Sequence, residues 1–167
     1  MLIHEKKGKL QSMDIGIRAV EWLELEWYES GKRIMRKQTT SGREVSLKFL
    51  AENQGLTQDD VLFENEAFII AVSILACRCI TIEPGNNLQL ASACYEIGNK
   101  HLPLFYEDGQ LLIPFEKPLF QLLVAQGYIV KDETRKLLQP LATTVAGHAH
   151  AENETLFSKI MKLTSPA

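Results

Sequence analysis

Residues 75–130 read LACRCITIEPGNNLQLASACYEIGNKHLPLFYEDGQLLIPFEKPLFQLLVAQGYIV, and this stretch decides the fold. LACRCITIE has the composition of a strand, and Pro84-Gly85 stops it. Asn86 or Asn87 can then cap a helix by accepting from backbone amides two or three residues on. Leu90, Cys94 and Ile97 repeat at i, i+4 and i+7, one buried stripe. LPLFYEDGQLLIPF reads as two short strands joined at Asp108-Gly109, a hairpin signal. EKPLFQLLVAQG reads as a second helix with Leu119, Leu122 and Leu123 inward and Gly127 as its stop. YIVKDET is strand-like again. The order strand–helix–strand–strand–helix–strand is the split βαβ, or ferredoxin-like, arrangement.

Upstream, the pattern is different. Residues 1–67 alternate apolar and polar over short runs, punctuated by turns at ESGK and TSGRE. Val61–Phe63 and Phe68–Val72 add two further strands. The fold class expected is α+β: an all-β N-terminal domain at 1–75, then a ferredoxin-like domain at 76–145. Residues 146–167 read as a flexible tail containing histidines. Within it NETLFSKIMKL can form a short amphipathic helix, docked on its own protein or on a partner.

The totals exclude several functions. The net charge of -3, from 18 basic and 21 acidic residues, argues against a dense phosphate-contacting surface, so no nucleic acid is expected. No window approaches the ~18 apolar residues of a membrane span, and the N-terminus lacks a secretory pattern. A cytoplasmic location is the expectation. Three cysteines, Cys77, Cys79 and Cys94, suit a reducing compartment. Cys77 and Cys79 would share a strand face with Cα atoms about 6.6 Å apart, near the limit for a bridge. They read as small buried hydrophobes, with a soft-metal contact as the alternative. Nucleophile elbows, phosphate loops and zinc-protease motifs are missing from the sequence, so an enzyme is not expected. The Asp59-Asp60 pair falls in a polar turn and reads as solvated.

Histidines are the remaining chemistry. His4 sits among lysines and reads as a surface residue. His101 is four residues beyond Ile97, so a helix running through Gly98-Asn99 would place it on the apolar stripe. An imidazole there needs a hydrogen-bond partner, water or a metal. A helix-terminal, hydrogen-bonded histidine and a metal ligand both satisfy that need. His148 and His150 form GHAHAE, where i and i+2 lie about 6.6–6.8 Å apart in an extended chain. A bending tail could bring both nitrogens to one zinc, copper or nickel ion.

LASACYEIGNKHLPLFYED and IPFEKPLFQLLVAQG together resemble the UreE urease accessory proteins, a nickel metallochaperone family. The family carries Gly-Asn-Arg-His at the end of the first helix of its ferredoxin-like domain. Gly98, Asn99, Lys100 and His101 match it, with Lys in place of Arg. PFEKP is similar to a version found in one branch of the family, and LEWYESGKRIMRKQTTSGREVSLKF resembles its N-terminal domain. GLTQDDVLF resembles its closing loop and strand, with Asp59-Asp60 where Gly-Asp is usual. The likeness spans about residues 1–140.

The resemblance implies a nickel chaperone that is a homodimer through its C-terminal domain, with His101 of both protomers on one shared ion. It implies that His148, His150 or both add ligands from the tail. It implies a partner- or peptide-binding role for the N-terminal domain, and delivery to the urease maturation GTPase, UreG, and the urease pre-activation complex. The tail lacks the long histidine run of many relatives, which points to one or two Ni(II) ions per dimer rather than storage. Gly98 could serve close approach between protomers. The alternatives are a zinc or copper buffer and a metal-independent scaffolding module. Binding should fade below roughly pH 6, because a protonated imidazole cannot ligate.

Overall fold

The computed structural model describes residues 1–49 and 55–141. The helix read within NETLFSKIMKL, the tail, and with it His148 and His150, lie outside the described residues.

Among the described residues the N-terminal part has seven strands, β1 (Leu2–Ile3), β2 (Gly8–Lys9), β3 (Ala19–Leu25), β4 (Ile34–Gln38), β5 (Glu44–Lys48), β6 (Asp60–Glu64) and β7 (Phe68–Ile74). They form a three-stranded sheet ordered β1-β5-β4 and a four-stranded sheet ordered β2-β6-β7-β3. Alternation sends Leu23 and Leu25 of β3, Val45 and Leu47 of β5, and Ile70, Val72 and Ile74 of β7 into one core.

Glu21 lies on the same face of β3 and is buried too. Arg43 satisfies it through two guanidinium bonds of 3.0 and 2.9 Å, and the Thr39 hydroxyl donates a third of 3.1 Å. Asp60 departs from its expected solvated turn. It is 3% exposed and bonded to Lys6, between β1 and β2, and to Lys9 of β2. Residues half a domain away in sequence supply that burial, so the local polar pattern could not reveal it.

β7 passes through Leu75 into β8 (Ala76–Glu83). Then follow α1 (Asn87–Asn99), β9 (Phe105–Glu107), β10 (Gln110–Pro114), α2 (Lys117–Ala125) and β11 (Ile129–Lys136). The sheet order is β11-β8-β10-β9 and every neighbour is antiparallel. This is the expected ferredoxin-like arrangement. The chain is therefore α+β, a strand-rich part followed by strands with two helices. Asp108 and Gly109, both at positive φ, turn β9 into β10. Both helices pack on one face through Ile80, Ile82, Ala93, Ile97, Leu111, Ile113, Leu119 and Leu123.

The other face of the sheet carries Cys79, Leu112 and Phe105, with Cys77 at its margin. Two elements cover it. Trp27, from a single 3-10 turn after β3, stands edge-on to Phe105 at 5.8 Å and 85°. Residues 137–141 form a strap that follows β11. Leu137 is buried against Cys79, Phe105 and Leu112, while Leu138 packs on the N-terminal core. Among the described residues no helix is long and apolar enough to cross a membrane.

Candidate metal centre

Helix α1 begins where the sequence places it. The Asn86 side chain accepts from the Gln89 amide at 2.9 Å, satisfying one of the orphan donors of the first turn. Its apolar stripe includes Ala93, buried, besides Leu90, Cys94 and Ile97.

The helix ends earlier than the stripe reading requires. Helical residues stop at Asn99, Lys100 closes the turn, and His101 turns to φ +54°. The His101 amide donates to the Gly98 carbonyl at 3.0 Å, and the Leu102 amide donates to the Ile97 carbonyl at 3.4 Å. These two reverse bonds define the Schellman ending, in which one residue adopts the left-handed conformation and the next folds back apolar against the helix. Leu102 does so, joining Ile97 in the helix-facing core. His101 is therefore off the apolar stripe and exposed at the helix terminus. The arrangement is the helix-terminal alternative of the sequence reading, and it leaves the ligand role open to the same residue.

α2 ends in the same way. Gly127 donates to Val124 at 3.0 Å and Tyr128 donates to Leu123 at 3.1 Å, with Gly127 at φ +80°. A left-handed residue without a side chain carries no Cβ penalty. His101 carries one at the equivalent position.

The site has an electrostatic bias. The last carbonyls of a helix carry about half a negative charge, which favours a cation beside them. Lys100 lies there, paired with Glu96 at 3.3 Å. An imidazole nitrogen at this end can donate a lone pair to a cation that the helix end also attracts. Gly98 is exposed, and a Cβ built on it meets nothing within 4 Å.

The other candidates fall elsewhere. His4 is exposed, its Nδ1 lying 3.2 Å from the Lys48 carbonyl oxygen. Cys77, Cys79 and Cys94 are free thiols. Burial pushes the Cys77 thiol up to about 11, and also raises Cys79 and Cys94. Neutral thiols, buried at Cys79 and half-buried at Cys77 and Cys94, fit the small-hydrophobe reading. Among the described residues no group of three His, Cys, Asp or Glu side chains stands ready for an ion.

The strap supplies a link that the sequence did not signal. The Tyr106 amide donates to the Gln139 carbonyl at 3.1 Å, Phe105 bridges to Pro140, and the Leu141 amide donates to the Leu104 carbonyl at 2.8 Å. The last described residue thus lies alongside residue 104, three positions from His101. No periodicity marks residues 137–141, because their partners are distant in sequence.

The N-terminal domain model of the UreE urease accessory proteins matches residues 3–75, and the C-terminal domain model of the same proteins matches residues 77–157. A urease accessory protein UreE of Flavobacterium johnsoniae is 44% identical over 163 residues, 98% of this chain and 99% of its own. One of Actinobacillus pleuropneumoniae is 43% identical, covering 77% of this chain and 70% of its own. One of Acetivibrio thermocellus is 31% identical, covering 92% and 99%.

Proposed function

The chain belongs to the UreE urease accessory protein family, and on that premise we propose that it is a nickel carrier of urease maturation. It is an accessory factor, not an enzyme. The cargo is Ni(II), and the primary ligand is His101. One observation carries the reading: a histidine stands exposed at the left-handed end of α1, where glycine is the ordinary choice.

A single imidazole cannot hold an ion tightly. Two copies of the chain related by a two-fold axis would bring two His101 side chains to one ion, and His148 or His150 would add to them. Nitrogen ligands with water completing the shell suit nickel, zinc and copper alike, and copper binds such sites more tightly than nickel. Nickel specificity in this reading comes from the partners, UreG and the urease pre-activation complex. Incomplete coordination suits a carrier. The ion is held against bulk water yet remains open to attack by the ligands of a receiving site.

Calorimetric titration of the full-length protein with Ni(II) tests the reading. His101→Ala abolishes the tight site per dimer while circular dichroism and dimer mass stay unchanged. Unaltered affinity and stoichiometry in that variant would sink the assignment. Titration with Zn(II) and Cu(II) in parallel, followed by transfer to apo-UreG, separates a nickel carrier from a general buffer.

A further inference from the structure

We infer that the strap at residues 137–141 is a latch between the two parts of the chain. Docked, it fixes their relative orientation. Released as a unit, it lets the C-terminal part swing about Leu75 and uncovers the sheet face that carries Cys79.

The connection between the parts is short. β7 ends at Ile74 and β8 begins at Ala76, so Leu75 alone separates two strands of different sheets. The Leu75 amide donates to the Leu25 carbonyl at 2.8 Å, which ties the linker to the N-terminal part. One residue carries two soft dihedrals, so such a linker does not by itself set an angle. Element-terminal positions of this kind are where hinges form.

The strap supplies the missing constraint. β11 and β9 are the two outer strands of their sheet, so a chain leaving β11 starts about 14 Å, three strand spacings, from the β9 edge. Crossing that width, it touches the two parts in alternation. Lys136, at its root, reaches the N-terminal part, with Nζ 3.3 Å from Gln58 Oε1 and 3.4 Å from Ser73 Oγ. The same Gln58 oxygen accepts from the amide of Ile74, next to the hinge, at 2.9 Å. Leu137 is 3% exposed in the cluster of Cys79, Phe105 and Leu112, while Leu138 packs on the N-terminal core. Successive side chains of an extended segment point to opposite sides, so adjacent leucines can serve two cores at once. Gln139, Pro140 and Leu141 then pair along residues 106, 105 and 104 in that order.

The same features let it release. Along β9 the strap is held by two backbone bonds, Tyr106 to Gln139 and Leu141 to Leu104, and Pro140 between them has no amide to donate. Residues 139–141 are exposed. Local opening selects segments with few buried contacts and exposed backbone bonds. Leu137 and Leu138 are neighbours on one backbone, so loss of either core contact weakens the other. After release, the chain linkage at Leu75 and the Trp27–Phe105 ring contact remain. Cys79 is fully buried in one cluster with Leu137, so its thiol reports the docked state.

Thiol labelling tests the latch in the full-length protein carrying Cys77→Ala and Cys94→Ala, where Cys79 is the one thiol left. In that background Leu138→Ser removes the N-terminal anchor, and Leu141→Pro removes the amide that donates to Leu104. Neither residue belongs to the Cys79 cluster. Cys79 labelling should rise at least about tenfold in each variant. Its dependence on urea should be shallower than that of global unfolding followed by circular dichroism. Small-angle scattering should show a broader distance distribution at unchanged molecular mass. Leu141→Pro, at an exposed position, keeps the test decisive should Leu138→Ser fail to fold. Labelling that tracks global unfolding in every folded variant overturns the latch, as does faster labelling with an unchanged scattering profile.

Discussion

His101 and Gly127 occupy the same position of the same helix-ending motif, one after α1 and one after α2, at φ +54° and +80°. Glycine takes this conformation freely, whereas a residue with a Cβ takes it at a cost of about 1 kcal/mol. The fold therefore carries a small strain at His101 that it avoids at Gly127. His101→Gly should raise stability by about 1 kcal/mol while abolishing nickel binding. His101→Ala, which keeps a Cβ, should abolish binding without that gain. Gly127→Ala should lower stability by a similar amount, since a Cβ there meets nothing within 4 Å and only the backbone resists. Chemical denaturation of the three variants, beside nickel titration, checks the set. A His101→Gly protein less stable than wild type would remove the argument that the left-handed turn is held for the sake of its side chain.

Much of this was legible in the sequence because it is local. Asn86 caps α1, Asp108-Gly109 turns the hairpin and Gly127 stops α2, each through chemistry within four residues. The strand–helix order then left one compact sheet arrangement. Three features were hidden for physical reasons. Whether α1 runs past Asn99 stays open in the sequence, because a histidine, not a glycine, makes the left-handed turn. Asp60 was read as solvated because its partners, Lys6 and Lys9, come from the other end of the domain. The strap has no periodicity, since its partners lie in β9, in β8 and in the N-terminal core. His101 stands out as a candidate ligand chiefly through the resemblance of Gly98–His101 to a family motif.

Glu21 gives the N-terminal part a defined acid response. Hydrogen bonds from Arg43 hold its carboxyl at about 2, below the ordinary 4.5, against the opposing effect of burial. A group with a depressed folded value contributes stability above its unfolded value and loses it as pH falls toward the folded one. The contribution is therefore intact above about pH 4.5 and disappears between there and pH 2. Glu21→Gln should remove this component, so its stability profile runs flatter than wild type over that window. At neutral pH the variant should be less stable by about 1 kcal/mol. The loss is modest because the Arg43 side chain is 39% exposed. Urea unfolding of both proteins from pH 2 to 7 measures it. Parallel profiles would show that the Arg43 bonds do not hold the carboxyl down.

The cysteines should be chemically quiet. Burial raises the Cys77 thiol to about 11 and raises Cys79 and Cys94, so little thiolate forms at neutral pH. The thiolate is the reactive species. Labelling with a thiol reagent at pH 8 should be slow in the native protein and fast in urea. Cys77→Ala should leave nickel stoichiometry unchanged. A lost metal equivalent in that variant would restore the soft-ligand alternative for this cysteine.

Trp27 should carry a large share of the coupling between the two parts of the chain. Its ring packs against both the N-terminal core and the helix-free cluster of Cys79, Phe105, Leu112 and Leu137. It meets Phe105 edge-on at 5.8 Å between ring centroids. Such a pair adds about 1 kcal/mol beyond the area it buries. The 3-10 turn that presents Trp27 is fixed by a capping box between Glu26 and Glu29. Trp27→Ala leaves a void at the junction and should cost about 3 kcal/mol. The strap contacts of Leu137 and Leu138 remain, so the parts should loosen rather than separate. The expected signature is a broadened or biphasic urea transition, and a fall in the unfolding slope per transition, with Ni(II) affinity at His101 retained. A single sharp transition shifted to lower urea would mean that the two parts still unfold as one unit, and that the strap alone couples them.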